Sequence, residues 1–355
     1  MGNLIGTAEP VNETDNYEID PVLKEKAYAL ENEYIDKYCS PLTRKELYYK
    51  DIPIDYHGNS FIHTLIRGEE DLLKPDHHNN KKVIIMLHGY QASSFIFYRI
   101  VPLISDEFIV ICPDMIGFGF SSRPKVKFTS AEQSIDFFVE FIDKFRQALK
   151  LEKFFICGHS LGGYLAANYA LKYPQHVEDK IVLLSPTGIG DPKKGGSCTE
   201  NLKLDQRFMF VYSLGLIFYL KPTSQNLSKK YLLSNSIKTG EDNKFQITKE
   251  ENELIGKIRR MHFEYPPDVE TCIYHIYRYP LPTPVIPLED LIVEKIPEKT
   301  IIFIFGENDW MDKFGTVRLN KKDENKYKYY VIPNCGHRWP MEKVEEGSKI
   351  INENL

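Results

Sequence analysis

Six short apolar runs with no polar interruption recur along the chain: Val83–Leu87, Phe108–Cys112, Phe154–Cys157, Ile181–Leu184, Ile301–Phe305 and Tyr329–Ile332. A strand with one wet face alternates apolar and polar residues. A continuous run needs cover on both faces, the condition of a parallel sheet between helices. Helical patterns over Ser130–Leu149 and Leu161–Tyr173 separate several of the runs, so the expected fold class is α/β, a mostly parallel central sheet with helices on both faces. Residues 47–67 predict two strands joined by a turn at His57-Gly58-Asn59.

The stretch between Ile181–Leu184 and Ile301–Phe305 is far too long for one crossover. Residues 191–296 are therefore expected to form an inserted helical cap, dividing a core of 45–190 and 297–355, with a tail and amphipathic helix in 1–44. Asp20-Pro21 reads as an N-cap with proline at the first helical position. Leu23, Ala27, Leu30, Tyr34 and Tyr38 then give one apolar face, expected to pack on the core rather than on a membrane. Phe208–Leu220 is strongly apolar but far short of the ~20 residues a bilayer span requires. It is expected to be a buried cap helix, with a helix dipping into a lipid surface as the alternative.

Composition narrows the function classes. The 355 residues suggest about two domains, and 42% apolar with 27% charged residues excludes a disordered or disulfide-scaffold chain. Fifty acids against 45 bases, a net charge of -5, count against a nucleic-acid partner. Six cysteines without a CxxC pair read as structural thiols of a reducing compartment. His77 and His78, adjacent in a polar loop, diverge too much to favour a metal site, so no metal or cofactor is expected. The start, Met1 to Thr7, is too short for a signal peptide, and Gly6 stands where a myristoylation motif at Gly2 wants Ser or Thr. Asn12 and Asn226 head glycosylation triplets that carry little weight without secretion. The expected address is cytoplasmic, with peripheral contact on membranes or lipid droplets left open.

Gly158-His159-Ser160-Leu161-Gly162 follows an apolar run and opens a helix, the strand–turn–helix setting of a nucleophile elbow. The turn lifts the serine oxygen above the sheet edge, and the helix N-terminus favours a developing oxyanion. A serine hydroxyl needs a base and a group that orients the base. Asp309 and His337 each follow an apolar run, in the chain order serine, acid, histidine that elbow hydrolases use. The expected catalytic set is Ser160, Asp309 and His337, with Asp312 as alternative acid. The expected oxyanion donors are the N–H groups of Leu161 and Tyr90, with Gln91 as fallback for Tyr90. His88 and His159 are expected to hold loop geometry. Gly117-x-Gly119 is a weak dinucleotide signal, because Ser122 replaces the third glycine and the loop follows the wrong strand.

With the His88-Gly89 loop, the elbow, Gly117-Phe118-Gly119-Phe120-Ser121-Ser122-Arg123-Pro124, Glu270-Thr271-Cys272-Ile273-Tyr274-His275 and Asp309-Trp310-Met311-Asp312, the chain resembles one subfamily of α/β-hydrolases. This is the lysophospholipase and lysophosphatidic acid acyltransferase subfamily, related to the lipid-droplet co-activator of adipose triglyceride lipase; the resemblance covers roughly residues 45–350. It implies a serine hydrolase of lipid carboxylic esters, (lyso)phospholipids or acylglycerols, with a lipid-like substrate and no cofactor. The alternatives it carries are lysophosphatidic acid acyltransfer, a non-catalytic lipid-droplet co-activator, and a generic carboxylesterase or carbon–carbon bond hydrolase. Two departures bear on the choice. The co-activator branch lacks the serine that Ser160 supplies here, and the acyltransferase motif His-x-x-x-x-Asp ends in Glu342. Lys257, Arg259, Arg260 and Arg123 are candidate contacts for a substrate phosphate.

Overall fold

A computed structural model describes residues 16–39, 42, 46–68, 81–195, 248–262, 264–278 and 283–355. Its frame is an eight-stranded sheet of β1 (Leu47–Asp55), β2 (Asn59–Arg67), β3 (Lys82–Leu87), β4 (Phe108–Pro113), β5 (Phe154–His159), β6 (Val177–Leu184), β7 (Thr300–Gly306) and β8 (Tyr327–Ile332). The spatial order is β8-β7-β6-β5-β3-β4-β2-β1. β1 and β2 form a hairpin that turns through His57 and Gly58, both at positive φ (49° and 77°), and β2 joins β4 antiparallel. Every other pairing is parallel.

The uninterrupted runs are explained by two cores. Val83, Ile85 and Leu87 of β3 face a cluster shared with α2 (Ala131–Ala148), α3 (Leu161–Lys172), α5 (Glu289–Lys295) and α6 (Phe314–Lys322). Ile84 and Met86 face the opposite cluster, covered by α1 (Pro21–Tyr38), α4 (Lys249–His262) and α7 (Val344–Asn354). Both sides of each central strand are thus dry, as a parallel sheet requires. The α/β class, all six runs and the hairpin appear as expected. Although α5 falls within 191–296, it packs on α3 and α6, in the layer of core helices. Phe208–Leu220, His77, His78, Gly2, Asn12, Asn226 and Cys198 lie outside the described residues. The other five cysteines are free and buried.

Two features at the N-terminal end go beyond the sequence reading. The end of the supposed tail is tied down: Asn16 and Tyr17 pair antiparallel with Pro124 and Arg123. α1 begins at Pro21 with Asp20 accepting the Val22 N–H at 2.9 Å, as expected, and packs on the core, but its buried residues are Ala27, Glu31, Tyr34 and Ile35. Leu23, Leu30 and Tyr38 are partly covered and pack against the same core cluster, as expected. The buried stripe is wider than the apolar pattern because Glu31 has an ionic partner inside. Its Oε2 stands 2.9 Å from Nε2 of His63, whose Nδ1 lies 2.9 Å from Oδ1 of Asp51. The imidazole is stacked between the rings of Tyr28 and Tyr49, each 4.4 Å away. A hydropathy pattern counts Glu31 as polar and places it outside; a complementary charge on β2 brings it in.

Burial disfavours a charged imidazole, yet the Glu31 charge and the two hydrogen bonds hold His63 up at about 10. Burial lifts Glu31 to about 7 against the pull of His63. Asp51 is lowered to about 2, its burial outweighed by His63 and Lys24. Raised groups bind more protons folded than unfolded, so stability falls as pH rises through their window. For Glu31 and His63 that window runs from 4.5, the ordinary value of Glu31, to the folded value of His63 near 10. Thermal unfolding should therefore show a declining midpoint between pH 5 and pH 9. His63→Gln should flatten that decline while lowering the midpoint at pH 5.

Candidate active site

Ser160 occupies the junction of β5 and α3 with φ 56° and ψ -118°, a strained conformation for a non-glycine residue. Its N–H donates to Leu184 O at 2.9 Å, and its carbonyl accepts from Gly163 and Tyr164 at 3.1 and 3.2 Å, so the turn is pinned on both sides. The flanking glycines answer to space. A Cβ on Gly158 would strike the Gly162 carbonyl, and one on Gly162 would strike the carbonyls of Leu87 and His88. Only a backbone without side chains lets β3, β5 and α3 approach so closely.

β7 and β8 end on the same edge of the sheet. Asp309 follows β7 and His337 follows β8, and Asp309 Oδ1 lies 3.0 Å from His337 Nδ1. Asp309 is buried, which on its own would raise its pKa, but the charge and hydrogen bond of His337 hold it below the ordinary carboxylate value. The same Oδ1 accepts the Met311 N–H at 2.9 Å, fixing the rotamer. Asp312 is turned elsewhere: Oδ1 accepts the Phe314 N–H at 2.8 Å at the start of α6, and Oδ2 is packed against Gly190. The structure therefore brings Asp309, not Asp312, to the histidine.

The loop after β3 lies against Ser160, since a Cβ on Gly89 would sit 3.0 Å from Ser160 Cβ. Tyr90 and Gln91 follow directly. Leu161 is the first residue of α3, where an N–H has no acceptor within its own helix. The two neighbouring histidines are committed to the backbone. His88 Nδ1 donates to Gly89 O at 2.8 Å while Nε2 accepts the Met115 N–H at 2.9 Å, and burial lowers its pKa. His159 donates from Nε2 to His337 O at 2.8 Å; burial and the adjacent His337 push it down to about 3. Arg123 is not available to a substrate, because its two terminal nitrogens are spent on Gly117 O at 2.6 Å and Gly119 O at 2.8 Å.

Two residues at the site, Ser185 and Trp339, carried no sequence signal. Ser185, at positive φ after β6, faces the Asp309 carboxylate and helps to lower its pKa. Its oxygen accepts the Trp339 indole N–H at 3.1 Å, which leaves the hydroxyl proton for the carboxylate. Glu342, the terminal residue of the His-x-x-x-x-Glu string, accepts the Gly336 N–H at 2.9 Å and so braces the loop that carries His337.

The sheet order runs with a strained serine on the turn after β5 and a histidine–aspartate pair after β8 and β7, and residues 82–210 match a family model described as the alpha/beta hydrolase fold. The chain has the α/β-hydrolase fold. Among solved structures, the chain is similar to the 2-hydroxy-6-oxo-6-phenylhexa-2,4-dienoate hydrolase of Rhodococcus sp. strain RHA1. The TM-score is 0.62 at 21% identity, covering 87% of this chain and 98% of that one, a likeness of fold alone. In sequence it is 29% identical over 279 residues to a probable 1-acylglycerol-3-phosphate O-acyltransferase of Oryza sativa subsp. japonica. That match covers 74% of this chain and 64% of the rice protein's length. It is 35% identical over 151 residues to the 1-acylglycerol-3-phosphate O-acyltransferase ABHD5 of Homo sapiens, covering 42% of this chain and 39% of that protein. The relatives thus carry lipid-related names.

The two candidate acids separate cleanly in an experiment. Asp309→Asn should lower kcat on a p-nitrophenyl ester by about 10⁴-fold, since the amide would hold the imidazole in the wrong tautomer. Asp312→Asn should stay within about threefold of wild type, because an asparagine oxygen can still take the Phe314 N–H.

Proposed function

We propose that this chain is a serine hydrolase of lipid carboxylic esters, (lyso)phospholipids or acylglycerols. The observation that carries the reading is the 3.0 Å contact of His337 Nδ1 with the buried Asp309 carboxylate, on the sheet edge where Ser160 tops its turn. In the proposed cycle Nε2 of His337 takes the Ser160 proton as Oγ attacks the ester carbonyl. The N–H groups of Leu161 and Tyr90 meet the oxyanion, and the imidazolium returns its proton to the leaving alcohol. Water then attacks the acyl-enzyme by the same route in reverse. Asp309 stays ionised throughout, its lowered pKa matching the task of stabilising the imidazolium.

Acyl transfer to a lysophosphatidic acid is the second reading, favoured by the names of the rice and human relatives. It would use the same acyl-enzyme with an alcohol in place of water. Glu342 gives this reading no support of its own, because it is engaged with the Gly336 backbone. Among the described residues no helix is long and apolar enough to cross a membrane. A lipid substrate would then be met at a surface, and peripheral contact with membranes or lipid droplets is part of the proposal.

For the head group the informative residue is Arg259 on α4. Burial and the positive charge of Arg338 push its pKa down to about 10, and no carboxylate among the described residues offsets it. Arg338 directly follows His337. A cation strained in this way is stabilised by an anion, so an anionic lysophospholipid head is favoured over a neutral one.

A fluorophosphonate probe should label the wild-type chain at Ser160 and leave Ser160→Ala unlabelled; an unlabelled wild type would remove the hydrolase reading. Arg259→Met should reduce kcat/KM on an anionic lysophospholipid about tenfold or more, the worth of one charge-assisted hydrogen bond. On a neutral monoacylglycerol it should stay within about twofold of wild type. Equal losses on both lipids would contradict the head-group assignment.

A further inference from the structure

The inserted segment reaches the loop beside the nucleophile through a buried acid. Glu270, in the turn Val269–Cys272, is 3% exposed and accepts the side-chain amide of Gln91 at 3.2 Å. Its other oxygen lies 3.9 Å from Nη1 of Arg123, itself 2% exposed. The guanidinium is anchored on the core by the carbonyls of Gly117 and Gly119 and reaches the carbonyls of Pro266 and His262, both at 3.4 Å, in the inserted segment. Shape reinforces the charge. Gly117 packs so closely that a Cβ would overlap the Val269 side chain. Next door, Tyr17 donates to Asp268 Oδ2 at 2.9 Å.

The receiving end of the link is the loop after β3, where the Ala92 N–H donates to Gly89 O at 3.3 Å and Tyr90 packs against the core. Gln91 is at φ 50°, an uncommon conformation for a residue with a side chain, and sits two residues from the Gly89 that abuts Ser160. A side chain held at its tip restrains the backbone N–H groups of residues 90 and 91. Those N–H groups must be aimed before reaction to stabilise an oxyanion without reorganisation.

The geometry points to Glu270 as a positioning residue: docked on Arg123, it holds Gln91 and thereby fixes the oxyanion loop, so that the inserted segment sets turnover as well as enclosing substrate. This builds on the reading of Ser160 as nucleophile, while its structural half can be measured without any substrate. Amide hydrogen exchange across residues 88–92, followed by mass spectrometry on the full chain, reads the loop directly. Glu270→Ala and Gln91→Met should each accelerate that exchange about tenfold or more. Each should also lower kcat on a p-nitrophenyl ester by about tenfold to a hundredfold, with KM within about twofold. Because both cut one link, the double variant should lose no more than either single. Glu270→Gln, which keeps an oxygen for Gln91, should recover most of the exchange protection. Gln91→Met leaves the Arg123–Glu270 pair intact and decides the matter if Glu270→Ala does not fold.

Unchanged exchange at 88–92 in folded Gln91→Met, or losses that multiply in the double variant, would overturn the inference. An active wild type whose exchange and kcat ignore both substitutions removes the link and leaves the nucleophile reading in place. A wild type inert to ester and fluorophosphonate, with exchange that responds as stated, removes the nucleophile reading and leaves the link.

Discussion

The sheet is dry on both faces, and the rest of the molecule is arranged around that. β3, β5, β6 and β7 can bury both rows of side chains only if helices cover each side, and a parallel strand can be followed by a parallel neighbour only after a crossover. Every such strand then ends on the same edge. Ser160 after β5, Ser185 after β6, Asp309 after β7 and His337 after β8 therefore stand along that edge, although they are widely spaced along the chain. The convergence of the site is a consequence of strand direction, and the chemistry is supplied by whichever residues stand at those ends.

Where the fold buries charge it does so in closed sets, because an isolated buried ion costs several kcal/mol. His63 has Glu31 and Asp51, Arg123 has Glu270 and two carbonyls, and Asp309 has His337. Each set joins segments remote in sequence: α1 to the hairpin, the loop after β4 to the inserted segment, and the end of β7 to the end of β8. Arg259 is only half-buried, and burial together with Arg338, of like sign, lowers its pKa. The difference between a balanced and an unbalanced cation separates Arg123 from Arg259, two residues that look equally suited to a phosphate when only composition is considered.

The same contrast explains how far the sequence could be read. The six runs, the helices between them and the hairpin are local statements about periodicity and turn chemistry, and they were legible. So was the elbow, because a tight strand-to-helix turn demands glycines at fixed offsets from the serine. The helical face of α1 was misjudged at Glu31, since its burial depends on His63, on a different element. Asp309 and Asp312 stand three residues apart after one strand, and nothing in that short string distinguishes them.

What the sequence determined by itself was therefore the α/β architecture and the position of Ser160 on its turn, because backbone period and steric demand are written in neighbouring residues. What only the tertiary structure decided was partnership. It placed Asp309 on the imidazole and Asp312 at the start of α6, gave Ser185 to Asp309, tied Glu342 to Gly336 and set Glu270 between Arg123 and Gln91. Hydrogen bonds act over about 3 Å and depend on orientation. Which groups come that close is settled when distant segments pack, and no spacing along the chain records it.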